Sequence, residues 1–151
     1  MKKTALFSLF ALSGFFIFQS AHAQVKDAPS LVKDAFTQQY PGADSAQYEN
    51  RLVFVLVHFY QKDSVSTAKY TSKGIWQWTE TAMPFSALPQ QIQDGFNKSK
   101  YLGWQVDHTY IVNLPGNITR YKLQIEKSAI QKRNLFFNTR GRMISDNITM
   151  Y

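Results

Sequence analysis

The sequence predicts an α+β fold in which one unit, a helix followed by about four antiparallel strands, occurs twice in tandem. Two segments with helical spacing of apolar residues each precede a series of short alternating segments. Glycine-containing turns separate these segments at hairpin spacing. A short pattern, an aromatic residue four positions before glycine, recurs at Tyr70…Gly74 and Phe137…Gly141. We therefore expect two helices packed on one face of an antiparallel sheet.

The N-terminal residues have the three-part composition of a secretory signal peptide. Met1-Lys2-Lys3 is basic, Ala5 to Phe18 is largely apolar, and Ala21-His22-Ala23 is a small-x-small cleavage site. The apolar run is shorter than the roughly 20 residues that span a bilayer. We expect residues 1–23 to be removed, residues 24–29 to be a flexible lead-in, and the protein to be periplasmic or secreted.

The first predicted repeat covers residues 30–82. Ser30 is the candidate N-cap of a helix with apolar positions Leu31, Ala35 and Phe36, and Tyr40-Pro41-Gly42 ends it. Strands are predicted at residues 45–49, 52–60, 65–71 and 75–81. Ser72-Lys73-Gly74 is a three-residue hairpin loop, in which glycine suits the left-handed position.

The second predicted repeat covers residues 84–147 and completes a single domain over residues 30–147. Its helix follows Pro89 and presents an apolar stripe of Ile92, Phe96 and Tyr101, with Gly103 at its exit. The strands of this repeat are predicted at residues 104–112, 121–127, 134–138 and 142–145.

The composition excludes several kinds of chemistry. The sequence has no cysteine, which removes disulfides, thiol catalysis, cysteine-ligated metals and lipid anchoring through cysteine. His58 and His108 have no acidic pair nearby in sequence, and no phosphate-cradling glycine loop is present. We predict no enzymatic activity, no cofactor, no metal site and no membrane span.

The chain is basic, with most of the excess in the second half. Loss of Lys2 and Lys3 with the leader lowers the formal net charge from +7 to +5. The cations between Thr109 and Ser145 are interpreted as solvated surface rather than as a nucleic-acid site, and an exported protein would more readily meet anionic lipid, polysaccharide or acidic protein.

The order of several short motifs resembles the PepSY-like, β-lactamase-inhibitor-like family, which is common among exported proteins of Bacteroidetes. The resemblance covers about residues 28–146. The matching residues are Val32, Ala35, Phe36, Tyr40-Pro41-Gly42-Ala43, Tyr70, Gly74, Trp76, Leu88-Pro89, Tyr101, Tyr121, Phe137 and Gly141. It implies an exported single domain without known catalytic residues. The resemblance also implies a mode of binding, because β-lactamase inhibitor proteins bind an enzyme with the open face of a similar sheet.

Hairpin register predicts which side chains face the helices. Val57 should pair with Ala68, Phe59 with Ser66 and Tyr70 with Trp76. The predicted core face carries Val53, Val55, Val57, Phe59, Ala68, Tyr70, Trp76 and Trp78, then Tyr121, Leu123, Ile125, Leu135, Phe137 and Met143. In the second half the opposite face carries Lys122, Gln124, Glu126 and Arg142, an ordinary solvated surface.

The face away from the helices, which we call the open face, is unusual in the first half. Phe54, Leu56, His58 and Tyr60, the apolar strip, break the alternation expected of a sheet with one wet face. The candidate partner-binding residues are Phe54, Leu56, His58, Tyr60, Lys69 and Lys122. An exposed apolar patch of this kind commonly marks a binding site.

We therefore predict an exported binding module that inhibits or regulates an envelope or secreted protein of unknown identity. The alternative is a structural, self-associating periplasmic protein whose strip is buried in a homodimer. A terminal segment of the same chain could also cover the strip. A register slip of one residue would invert every facing assignment.

Overall fold

The chain folds around a continuous eight-stranded antiparallel sheet whose strands lie in sequential order. The computed structural model describes residues 27–148, so the predicted leader and the first half of the lead-in lie outside the described residues. Helix α1 spans Ser30–Gln39, a 3-10 turn spans Phe85–Ala87 and helix α2 spans Gln90–Asn97. The strands are β1 (Asp44–Asn50), β2 (Phe54–Gln61), β3 (Ser64–Thr71), β4 (Trp76–Met83), β5 (Gln105–Leu114), β6 (Ile118–Ser128), β7 (Gln131–Asn138) and β8 (Met143–Ile148). Neither helix has the length and apolar character needed to cross a bilayer.

The predicted fold class, a tandem repeat of helix-and-strand units with two helices packed on a sheet, is wrong. Strand β4 pairs directly with β5, from Thr79 opposite Asn113 to Met83 opposite Thr109, so the ladder crosses the predicted boundary. The helices have only 10 and 8 residues, and one sheet accounts for most of the described chain. The physical reason is that an edge strand exposes unpaired backbone groups, and pairing β4 with β5 removes two such edges.

Two hydrophobic clusters lie on the helix side of the sheet. In the first, Val32 and Phe36 of α1 pack with β2 and β3. In the second, Ile92 and Phe96 of α2 pack with β6 and β7. The strand residues of the two clusters are Val55, Val57, Phe59, Ala68 and Tyr70, then Tyr121, Leu123, Ile125, Leu135 and Phe137. Burial of these side chains, worth about 1.5–3 kcal/mol for each large one, holds the helices in place.

Two predicted core positions are exposed instead. Leu31 is 59% exposed, because Val32 rather than Leu31 turns toward the sheet at the start of α1. Val53 is 74% exposed, because β2 begins at Phe54, two residues later than predicted, after a tight turn in which Leu52 has a positive φ of 67°. All eight predicted strands exist, but β5 to β8 each extend beyond the predicted limits, since tertiary pairing continues past the apolar runs.

Glycines allow a hairpin loop to approach each helix closely. Gly74 has a φ of +79°, and a Cβ there would lie 2.6 Å from the carbonyl oxygen of Leu31 in α1. Gly95 in α2 faces Gly141 of the β7–β8 loop, and a Cβ at Gly95 would overlap the Gly141 carbonyl oxygen. A side chain at these positions would therefore push the helix away from the sheet.

We expect Gly95→Ala to destabilise the protein although alanine is the better helix former by about 1 kcal/mol. The overlap with Gly141 should outweigh that preference and lower the free energy of unfolding by about 1–3 kcal/mol. Urea denaturation followed by circular dichroism measures the change.

Gly42→Ala is the matched control, since a Cβ there meets nothing within 4 Å and its φ is not positive. That variant should be as stable as the parent or more stable by up to about 1 kcal/mol, because alanine restricts the unfolded chain. Equal stability of the two variants would contradict the close approach of α2 to the β7–β8 loop.

Candidate functional site

Alternation along β2 places the apolar strip on the open face. Val55, Val57 and Phe59 point to the helices and are at most 2% exposed, so the residues between them point the other way. The register agrees with the sequence prediction, because Val57 lies opposite Ala68 and Phe59 opposite Ser66. Phe54, Leu56 and His58 are half-buried, and Tyr60 is 53% exposed.

A bulge in β4 adds a tryptophan to this face and corrects one prediction. Tyr70 lies opposite Trp76, as predicted, but Lys69 lies opposite Trp78, so Gln77 is an extra residue. One extra residue moves the following side chains to the other face. Trp78 therefore lies on the open face beside Lys69 and not in the core, whereas Trp76 packs against the first cluster.

The second half also contributes aromatic side chains to the open face, so it is not the ordinary solvated surface that was predicted. Tyr110 of β5 lies opposite Lys122 of β6, and Lys122 lies opposite Phe136 of β7. All three are half-buried. Because β4 and β5 pair directly, these residues lie on the same sheet face as Trp78 and the apolar strip.

A mostly buried ion pair occupies the middle of the open face. The Lys122 ammonium lies 2.7 Å from a Glu80 carboxylate oxygen, with 13% and 18% of the two side chains exposed. The same ammonium lies 4.6 Å from the centre of the Tyr110 ring. Burial, together with the negative charge of Glu80, raises the pKa of Tyr110. The pair fixes the position of a cation among aromatic rings.

Polar contacts also order the strip itself. His58 Nδ1 lies 3.0 Å from Thr67 Oγ1, and His58 Nε2 lies 3.3 Å from a carboxylate oxygen of Glu49 on β1. The hydrogen bond from His58, aided by the charge of Arg51, lowers the pKa of Glu49. The acidic partner of His58 is thus supplied by a neighbouring strand, and sequence inspection did not identify it.

The six candidate residues all lie on the open face, but they form two groups. Phe54, Leu56, His58 and Tyr60 adjoin Lys69, whose ammonium lies 4.2 Å from the centre of the Phe54 ring. Lys122 lies on β6, with β4 and β5 between it and that group. Sequence reasoning missed Glu80, Trp78, Tyr110 and Phe136, which connect the groups. The sequence did offer a signal for Tyr110 and Phe136. Each lies between two residues that face the helices, so strand alternation places its side chain on the open face.

The open face combines apolar and aromatic side chains with charges that are paired. Its polar groups are engaged with one another, as in the Glu80–Lys122 and Glu49–His58 pairs. Within residues 27–148 no three His, Asp or Glu side chains come together as metal ligands would. What the face offers a partner is a broad surface of aromatic and aliphatic side chains with charges held among them.

Comparison with known proteins identifies relatives by sequence profile and by fold. The profile of the family described as "Putative beta-lactamase-inhibitor-like, PepSY-like" matches residues 53–145. Among curated protein sequences, none matches the chain.

Solved structures share the fold at low sequence identity. A BLIP-like protein from Bacteroides fragilis is 21% identical with a TM-score of 0.73, covering 83% of this chain and 89% of its own. A DUF2874 family protein from Bacteroides ovatus is 18% identical with a TM-score of 0.74, covering 82% and 89%. A protein described as periplasmic, from Bacteroides eggerthii, is 18% identical with a TM-score of 0.73, covering 82% and 90%. At these sequence identities the comparison shows a shared fold and nothing further about function.

We expect Glu80→Gln to destabilise the protein because it leaves the Lys122 ammonium largely buried without a counter-ion. The free energy of unfolding should fall by about 1–3 kcal/mol, the usual cost of leaving a buried polar group without its partner. The double variant Glu80→Gln/Lys122→Met should recover most of the loss. Chemical denaturation of the three proteins measures the coupling.

Glu126→Gln is the matched control, because its pair with Lys132 leaves 25% and 31% of the side chains exposed. A clearly smaller effect is expected there, because solvent screens the more exposed pair. A Glu80 variant as stable as this control would show that the central ion pair does not support the open face.

Proposed function

The chain belongs to the PepSY-like, beta-lactamase-inhibitor-like family, and from this premise we propose that it is an exported, non-enzymatic binding module. It inhibits or regulates an envelope or secreted protein by covering part of that protein with its open face. The family description and the solved BLIP-like protein of the same fold support an inhibitor-like role. The relative described as periplasmic supports export.

The observation that carries the proposal is the composition of the open face. Apolar and aromatic side chains extend from β2 to β7 on the side that the helices leave uncovered. They are Phe54, Leu56, Tyr60, Val65, Trp78, Tyr110 and Phe136. Aromatic residues are enriched at the centres of protein interfaces, where large rigid side chains bury area at low entropic cost.

The charges on this face suit a protein partner rather than a nucleic acid. Lys122 is neutralised by Glu80, and His58 is in contact with Glu49, so the face is not a uniformly basic surface. Nucleic-acid binding depends on cations that neutralise phosphates. A mixed, largely apolar face with its charges held in place instead favours a complementary protein surface.

The test of the binding face uses Leu56→Asp/Tyr60→Asp, which places two charges in the strip without disturbing the core. We expect capture of the partner from the native cell envelope to fall by at least about tenfold, because interface centres tolerate buried charge poorly. Affinity purification with mass-spectrometric quantification measures the captured proteins.

Leu31→Asp is the matched control, because Leu31 is an exposed leucine of α1 on the other side of the sheet. Circular dichroism and thermal unfolding verify that all variants fold. A folded double variant that captures the same proteins in the same amounts would reject the open face as the binding site.

A second copy of the chain is the competing occupant of the open face. Light scattering over a range of concentrations distinguishes the two. A dimer that Leu56→Asp/Tyr60→Asp dissociates would assign the strip to self-association, and a monomer at the highest concentration would leave the face available to another protein.

A further inference from the structure

The β6–β7 hairpin presents an exposed apolar tip at one end of the sheet. Ile130, in the turn of this hairpin, is 94% exposed. Ile148, at the end of β8, is 69% exposed and lies close by, because it pairs with Arg133 near the start of β7. Isolated exposed aliphatic residues are common on protein surfaces. Here two exposed isoleucines lie together at one corner, beside a cleft lined by cations, and this combination is typical of a binding surface.

The cleft beside this tip is basic and partly aromatic. It has a volume of about 400 Å³, and Ile130 and Ile148 form part of its wall. Lys100, Lys132 and Arg133 line it together with Tyr101 and Trp104. Among the described residues, no carboxylate lines this cleft.

Two carboxylates partly offset these cations without entering the cleft wall. Asp146 lies 3.1 Å from the Lys100 ammonium and 3.7 Å from the Arg133 guanidinium. Glu126 lies 2.8 Å from the Lys132 ammonium. Lys127 adds a further exposed cation in the same hairpin. Asp107 contacts Glu126, so four cations meet three carboxylates here and the corner keeps a small excess of positive charge. The ion pairs hold the cations at the cleft.

The projecting apolar tip fits a lipid surface better than a protein surface. A projecting isoleucine at a hairpin tip has little to bury against a flat or convex protein surface. A bilayer interface deforms around such a tip and accepts aliphatic side chains at the boundary between headgroups and acyl chains. Cations beside the tip are attracted by anionic headgroups, at about 1 kcal/mol for each Lys or Arg near the surface.

We propose that this corner docks the protein onto an anionic phospholipid surface. The cleft formed by Lys100, Lys132 and Arg133 receives headgroup phosphate, and Ile130 and Ile148 enter the boundary with the acyl chains. Because the apolar and the charged contributions are both small, the binding is reversible and weakens as salt rises.

Docking at this corner is separate from binding at the open face. The tip lies at one end of β6 and β7, whereas Lys122 and Phe136, the open-face residues of these strands, lie nearer their other end, and the apolar strip lies on β2. A protein held at a membrane by its corner would keep its open face available to a partner. The inference therefore goes beyond the proposed binding function and does not depend on it.

The experiment is co-sedimentation with vesicles of phosphatidylethanolamine and phosphatidylglycerol, with phosphatidylcholine vesicles in parallel. The parent should bind the anionic vesicles and not the zwitterionic ones, and binding should decline as salt is added. Lys127→Glu/Ile130→Ser should reduce the partition coefficient about tenfold or more. Every variant is prepared in the same form, with its N-terminus defined by mass spectrometry, so that the apolar residues 5–18 contribute equally.

Lys73→Glu/Ile75→Ser is the matched control, since it makes the same changes at the exposed β3–β4 hairpin. It should bind vesicles like the parent, as should Leu56→Asp/Tyr60→Asp. Absence of binding to anionic vesicles, equal binding to both lipid mixtures, or equal losses in the two hairpin variants would each overturn the proposal. Retention of vesicle binding by the open-face variant would show that the two surfaces act independently.

Discussion

Backbone hydrogen bonds between β4 and β5 join two hydrophobic clusters that would otherwise lie under separate sheets. Between the clusters the helix side carries small polar residues, among them buried Thr79 and Thr109, so apolar packing alone does not unite the halves. The ladder also makes the open face continuous. Because β4, β5 and β6 are neighbours in one sheet, Glu80 of β4 and Lys122 of β6 lie on the same face and meet across β5. The candidate site thus depends on this pairing as much as the core does.

One face of the sheet is covered by the helices and the other is open, and two glycines allow the helices to pack closely on the covered face. Close approach at Gly74 and Gly95 lets α1 and α2 lie directly against hairpin loops, so short helices are enough to cover the core. The open face remains uncovered by any described element and carries its aromatic residues with ion pairs among them. The β6–β7 corner is a third surface, where the end of the sheet and not its face is presented.

Much of the site could be predicted from the sequence, and the failures have physical causes. Alternation along β2 correctly separated Val55, Val57 and Phe59 from the apolar strip, because a two-residue period leaves little ambiguity in a long strand. Trp78 was assigned to the core because the bulge at Gln77 has no clear signature in sequence. The partner of His58 was missed because Glu49 belongs to another strand.

The sequence by itself determined the local elements, the side chains that face the helices along most strands, and the family resemblance. These depend on periodicity, turn residues and motif order, which are properties of short segments. Only the tertiary structure decided that eight strands form one sheet, that Trp78 faces outward, and that Lys122 and Glu80 meet. Each of these depends on which backbone edges pair and in which register, and the free energy of that pairing is shared between segments distant in the chain.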